Sequence, residues 1–111
     1  MMKRNIFPMI QPAYFLLLIF SLLIIVGCGT IKLGWNPNTE SDLAGYRVYY
    51  GTTSGTYDNS IDAGMGTLSG GFVTYSLTNL SKGQSYCIAV TAYNTSNYQS
   101  GFSNEVCGVA E

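Results

Sequence analysis

Past residue 28 the chain alternates between apolar and polar positions. In Thr30-Ile31-Lys32-Leu33-Gly34-Trp35, the residues Ile31, Leu33 and Trp35 share one side, because successive side chains of a strand point to opposite faces. Gly45 to Gly51 repeats the pattern. Tyr46, Val48 and Tyr50 point one way, Arg47 and Tyr49 the other. Phe72 to Leu80 is a third strand, with Phe72 or Val73, Tyr75 and Leu77 as its apolar members. Ser85 to Asn94 is the longest: Tyr86, Ile88, Val90 and Ala92 on one face, Cys87, Ala89, Thr91 and Tyr93 on the other. Phe102 to Val109 closes the series as a last strand. Between strands lie turn formers, among them Asn36 to Asp42, Ser81 to Gln84 and Thr95 to Gly101. From Gly51 to Gly71 the alternation fades among six glycines, which predicts an irregular crossover with one or two weak edge strands. No stretch after Cys28 has helical periodicity. Short strands with turns every 10–15 residues or so predict an all-β fold, an antiparallel sandwich of two sheets.

The first 28 residues are patterned differently. Lys3 and Arg4 make a basic tip, and Pro8 and Pro12 interrupt any helix begun there. Ala13 to Val26 is apolar apart from Tyr14 and Ser21. That run gives roughly 21 Å of helix, short of the ~30 Å that a spanning segment must cross. A charged tip, a short apolar core and a small residue ahead of a cut follow the layout of an export signal. Ile25-Val26-Gly27-Cys28 resembles the lipobox of bacterial lipoproteins. The resemblance implies cleavage before Cys28 and lipid on its thiol. Two or three acyl chains anchor a protein stably where one does not. The expected organisation is a signal helix over 1–27, a lipidated linker over 28–30, and one domain over 31–111. The partner implied is a membrane, reached through the N-terminal lipid. Gly29 rather than Asp after Cys28 resembles the outer-membrane form of this signal, for a cell with two membranes. The other readings of the segment are an uncleaved anchor and plain secretion.

Composition narrows the function. The chain has 111 residues, of which 10% are charged and none is histidine. Beyond Cys28 the bases are Lys32, Arg47 and Lys82, and the acids are Glu40, Asp42, Asp58, Asp62, Glu105 and Glu111, a net of −3. Such a domain lacks the clustered Lys and Arg that nucleic acid requires. Without histidine, and with its carboxylates scattered over loops, it is not expected to be an enzyme. No cofactor or metal is expected, and Asp58 to Asp62 lacks the spacing of a calcium loop. Three cysteines are an odd number for an exported chain; with Cys28 given to lipid, Cys87 and Cys107 remain as a pair.

The segment from Ile31 to Val109 resembles a fibronectin type III domain of the kind found on bacterial secreted proteins. The resemblance rests on Trp35, on Gly45-Tyr46-Arg47-Val48-Tyr49-Tyr50-Gly51, and on Leu80 six residues before Tyr86. It rests also on the alternation from Tyr86 to Asn94, and on Ser103-Asn104-Glu105-Val106. Leu80 and Tyr86 resemble a tyrosine corner, in which the phenol bonds backbone a few residues upstream. An immunoglobulin-like sandwich is implied. Almost nothing lies between Cys28 and the Trp35 strand, so the first strand of such a fold is short or missing and the Trp35 strand is a sheet edge. In this fold Cys87 and Cys107 fall on neighbouring strands and point outward, where they form a disulfide or remain two thiols. Arg47, Tyr49, Thr91, Tyr93 and Glu105 share that outward face. They form a possible binding face for a protein or polysaccharide, or an ordinary solvated face with an Arg47–Glu105 pair. Tyr57 and Tyr98 are loop residues that serve as contact points or pack locally. The expected role is non-catalytic binding, adhesion or spacing at a bacterial cell envelope. The alternative is an envelope-assembly component that pairs through the bare edge.

Overall fold

The computed structural model describes residues 29–111. The expected signal segment over 1–27 and the lipid site Cys28 lie outside them. The described residues form seven strands and no helix: β1 (Gly29–Trp35), β2 (Leu43–Gly51), β3 (Asn59–Gly64), β4 (Thr67–Ser69), β5 (Phe72–Leu80), β6 (Ser85–Asn94) and β7 (Val106–Val109). They pair antiparallel in two sheets, a three-stranded one ordered β1-β5-β4 and a four-stranded one ordered β3-β2-β6-β7. This is the immunoglobulin-like sandwich. The Trp35 strand is a sheet edge, with no strand before it among the described residues.

The alternation decides what is buried. Ile31, Leu33 and Trp35 from β1, Val73 and Leu77 from β5, Tyr46 and Val48 from β2, and Ile88 and Val90 from β6 all lie inside. Trp35 and Tyr46 meet edge to face across the two sheets, ring centroids 5.3 Å apart. The weak stretch from Gly51 to Gly71 yields β3 and β4, one added to each sheet. Ala63 packs against the core, but the larger inward-facing residues of both strands stay wet. Ile61 lies opposite Val48 and Leu68 opposite Val73, yet both are exposed. Here the sandwich is open-sided.

Two phenols fasten the ends. Tyr86 Oη accepts the Ser81 N–H at 2.9 Å, which is the tyrosine corner expected from Leu80 and Tyr86. Tyr46 Oη accepts the Asn38 N–H at 2.8 Å and holds the β1–β2 loop. Opposite β1, β5 carries an extra residue between the Gly29–Leu80 and Ile31–Leu77 pairs. Asn79 there has φ 61°, a left-handed backbone that Asn tolerates, as bulges need.

The last strand is shorter than its pattern. The alternation predicts strand from Phe102, but regular pairing begins at Val106. The physical reason lies in two serines. The Ser100 and Ser103 hydroxyls accept the Ala92 and Val90 N–H groups, each at 2.9 Å, while their own N–H groups donate to the Ala92 and Val90 carbonyls. Both rungs of β6 are satisfied by a side-chain oxygen in place of a carbonyl. The chain between the serines bows outward and lifts Phe102 onto the outer surface of the four-stranded sheet, 56% exposed.

Candidate functional site

The outer face of the four-stranded sheet carries two linked clusters. In the first, Tyr93 on β6 lies across β2 and donates its hydroxyl to Asp62 on β3, at 2.9 Å to Oδ1. The ring passes over Gly45, where a Cβ would stand 2.6 Å from the Tyr93 oxygen, so glycine is required for this reach. The Arg47 guanidinium sits over the Tyr93 ring, 5.7 Å from its centroid. Donation from the Gly64 N–H, then from Tyr93, holds Asp62 below the usual carboxylate range, and the same bond pushes Tyr93 up.

The second cluster is aromatic. Phe102 meets Tyr49 edge to face at 5.0 Å and Tyr57 at 5.3 Å. The Tyr49 hydroxyl donates to Gln99 Oε1 at 2.7 Å, and Thr91 Oγ1 donates to the same oxygen at 2.8 Å. Glu105 gathers the loop after β2. It accepts from the Ser54 hydroxyl and the Tyr57 hydroxyl, each at 2.5 Å, and from the Gly55 N–H at 2.8 Å. Gly51 permits this docking, since a Cβ there would run into the Thr56 carbonyl oxygen. Cys87 and Cys107, directly opposite across β6 and β7, form a disulfide beside Glu105, with Cα atoms 4.0 Å apart. Their sulfurs are joined to each other, so they offer no thiolate pair for a metal next to that carboxylate.

The five face residues expected from alternation thus divide. Arg47 and Tyr93 are together. Tyr49 is on the same face and half-buried. Thr91 is not available as a contact: it is 3% exposed, because Gln99 folds back over it. An Arg47–Glu105 pair does not form, since Arg47 stacks on Tyr93 and Glu105 is taken by the 54–57 loop. Tyr57 packs locally, against Phe102 and Glu105, whereas Tyr98 is 63% exposed. Sequence reasoning left out Phe102, Gln99 and Asp62 as face residues. Asp62 was legible in principle, two residues beyond Ser60 on a strand paired with β2. Phe102 was not, because its outward position depends on the two serine rungs.

The latch at Glu105 has a definite pH window. Three donors, Ser54 first and then Tyr57 and Gly55, hold its carboxyl below the ordinary range. Burial, and next the bond to Glu105, push Tyr57 up to about 12. A depressed carboxylate contributes stability above its unfolded pKa and loses it as pH falls through the folded value. A raised phenol contributes below its unfolded pKa of 10.0 and loses it as pH rises toward about 12. The Gly55 amide is therefore expected to be protected from hydrogen exchange at neutral pH and released at both extremes. A Glu105→Gln variant should lack the acid limb; an unchanged acid limb in that variant would put the latch elsewhere.

The family model for the fibronectin type III domain matches residues 24–108. A solved structure described as a myokine structure superposes with a TM-score of 0.56 at 16% identity, covering 74% of this chain and 82% of that one. At that identity the likeness concerns the fold alone. No curated protein matches the chain.

Proposed function

The chain belongs to the fibronectin type III family, and from that premise we propose that it is a non-catalytic binding module tethered to a bacterial cell envelope by lipid on Cys28. The observation that supports binding is the Tyr49–Phe102–Tyr57 shelf. Three rings stand together on the outer surface with Phe102 at their centre, 56% exposed. Phenol hydroxyls bonded to Gln99 and Glu105 hold two of the rings in place. Rigid aromatic side chains bury large contact area at low entropic cost, which is why they concentrate at binding surfaces. The tether rests on the Ile25-Val26-Gly27-Cys28 pattern. A lipid at Cys28 would adjoin the start of β1 and leave the outer face of the other sheet clear for a ligand.

A second reading concerns the β1 edge. The Thr30 N–H and C=O point away from β5 and pair with Glu111. By the two-residue alternation of an antiparallel strand, Lys32 and Gly34 present their backbone groups along the same free edge. A partner strand could add there. One experiment separates the readings: fatty-acid labelling of the wild type and of Cys28→Ser, then pull-down from solubilised envelope with Phe102→Ala and Lys32→Pro. The proposed function requires label on the wild type only, and loss of the captured ligand with Phe102→Ala alone. Loss with Lys32→Pro alone would favour strand addition, and an unlabelled wild type would end the lipoprotein reading.

A further inference from the structure

Glu105 is a carboxylate bonded to one ring of the shelf, through the Tyr57 hydroxyl, with no cation of its own. Hydrogen bonds from Ser54, Tyr57 and Gly55 lower its pKa, with no lysine or arginine contributing. The three bases among the described residues are engaged or placed elsewhere. Arg47 lies over Tyr93, Lys32 is on β1 of the other sheet, and Lys82 is in the β5–β6 turn. We infer that the Tyr49–Phe102–Tyr57 shelf, with Glu105 beside it, binds a quaternary ammonium group of the kind carried by choline. This rests on the reading of the outer face as the binding face.

Three features favour a cation. Aromatic faces carry negative potential and attract positive groups held over them. Glu105 adds a full charge at the rim of the rings, and the domain beyond Cys28 has a net charge of −3. The same face already holds one cation on a phenol ring, at Arg47 and Tyr93. An anionic ligand would meet both Glu105 and Asp62.

The hydrogen bonding further selects a cation without N–H groups. Oε1 of Glu105 accepts from both the Gly55 N–H and the Tyr57 hydroxyl. Oε2 accepts from the Ser54 hydroxyl and lies 3.5 Å from the Cys107 sulfur. Gln99 Oε1 is filled by Tyr49 and Thr91. A primary ammonium brought onto the shelf would give up water and have to share Oε2 with Ser54 or displace the donors on Oε1 and Gln99, and so would regain few of its hydrogen bonds. A quaternary ammonium needs no acceptor. It gains the ring faces and the carboxylate field without competing for the oxygens.

The test is an amide-shift titration of the full chain in a sugar-headed detergent. Its probes are choline, ethanolamine, and the neutral isostere 3,3-dimethylbutan-1-ol. Choline should give saturable shifts at Gly55, Phe102 and Glu105, with ethanolamine and the isostere at least about ten-fold weaker. Phe102→Leu should abolish the response and Phe102→Trp should keep it, while unshifted core signals in both report an intact fold. Glu105→Gln should weaken choline several-fold. Equal binding of choline and the isostere, or no saturable response to choline, overturns the inference. If choline fails while Phe102→Ala still loses the envelope ligand, the ammonium class is wrong and the binding face stands.

Discussion

Trp35→Ala is expected to leave the domain largely unfolded on mild heating, with a midpoint about 12–40 °C below the wild type. The indole is fully buried at the end of β1 and packs edge to face on Tyr46 of the other sheet. It is a direct contact between the small three-stranded sheet and the larger one, inside a core that both sheets build. Truncating a buried tryptophan costs roughly 3–5 kcal/mol, and each kcal/mol lowers the midpoint of a domain this size by about 4–8 °C. Total stability of ~5–10 kcal/mol leaves little reserve. The loss is a packing effect and not a polar one. The indole N–H approaches the Tyr46 hydroxyl without the alignment of a full hydrogen bond. Trp35→Phe should therefore recover much of the loss. A thermal melt of the three proteins measures this, and a drop of only a few degrees for Trp35→Ala would show that the sheets are joined some other way.

Breaking the Cys87–Cys107 disulfide is expected to have the second largest effect. The bond spans a sequence separation of 20 and closes the segment that carries Ser100, Phe102, Ser103 and Glu105. Closing a loop of that length stabilises a domain by roughly 3 kcal/mol, so the midpoint should fall by about 12–24 °C. The location makes the effect local as well. β7 has four residues and lies at the sheet edge, held by few backbone rungs. With the disulfide gone, amide exchange should rise first in β7 and at Gly55, since Glu105 would no longer be anchored beside its loop. Reductant and a Cys87→Ala/Cys107→Ala variant should give the same shift. A reduced protein that melts like the oxidised one would mean the crosslink adds nothing to the fold.

The two clusters on the outer face were legible in the sequence to different degrees. Arg47, Tyr49 and Tyr93 are on regular strands, so alternation alone placed them outward. Thr91 obeys the same alternation and is still buried, because a residue eight positions later returns to cover it. Phe102 breaks the alternation that would have made it strand, and becomes the most exposed ring of the shelf. Glu105 was expected on the face, but its partners come from the loop after β2, some 50 residues earlier in the chain.

The resemblance indicated the tyrosine corner and the edge position of the Trp35 strand; by itself the sequence determined the two-sheet sandwich and the inward face of each long strand. Those follow from a period of two and from local turn chemistry, which neighbouring residues settle among themselves. Only the tertiary structure decided which outward residues are open, which loop closes on Glu105, and that Cys87 and Cys107 are joined. These depend on segments far apart in the chain meeting across a sheet, and on serine hydroxyls standing in for backbone carbonyls; no local pattern encodes either.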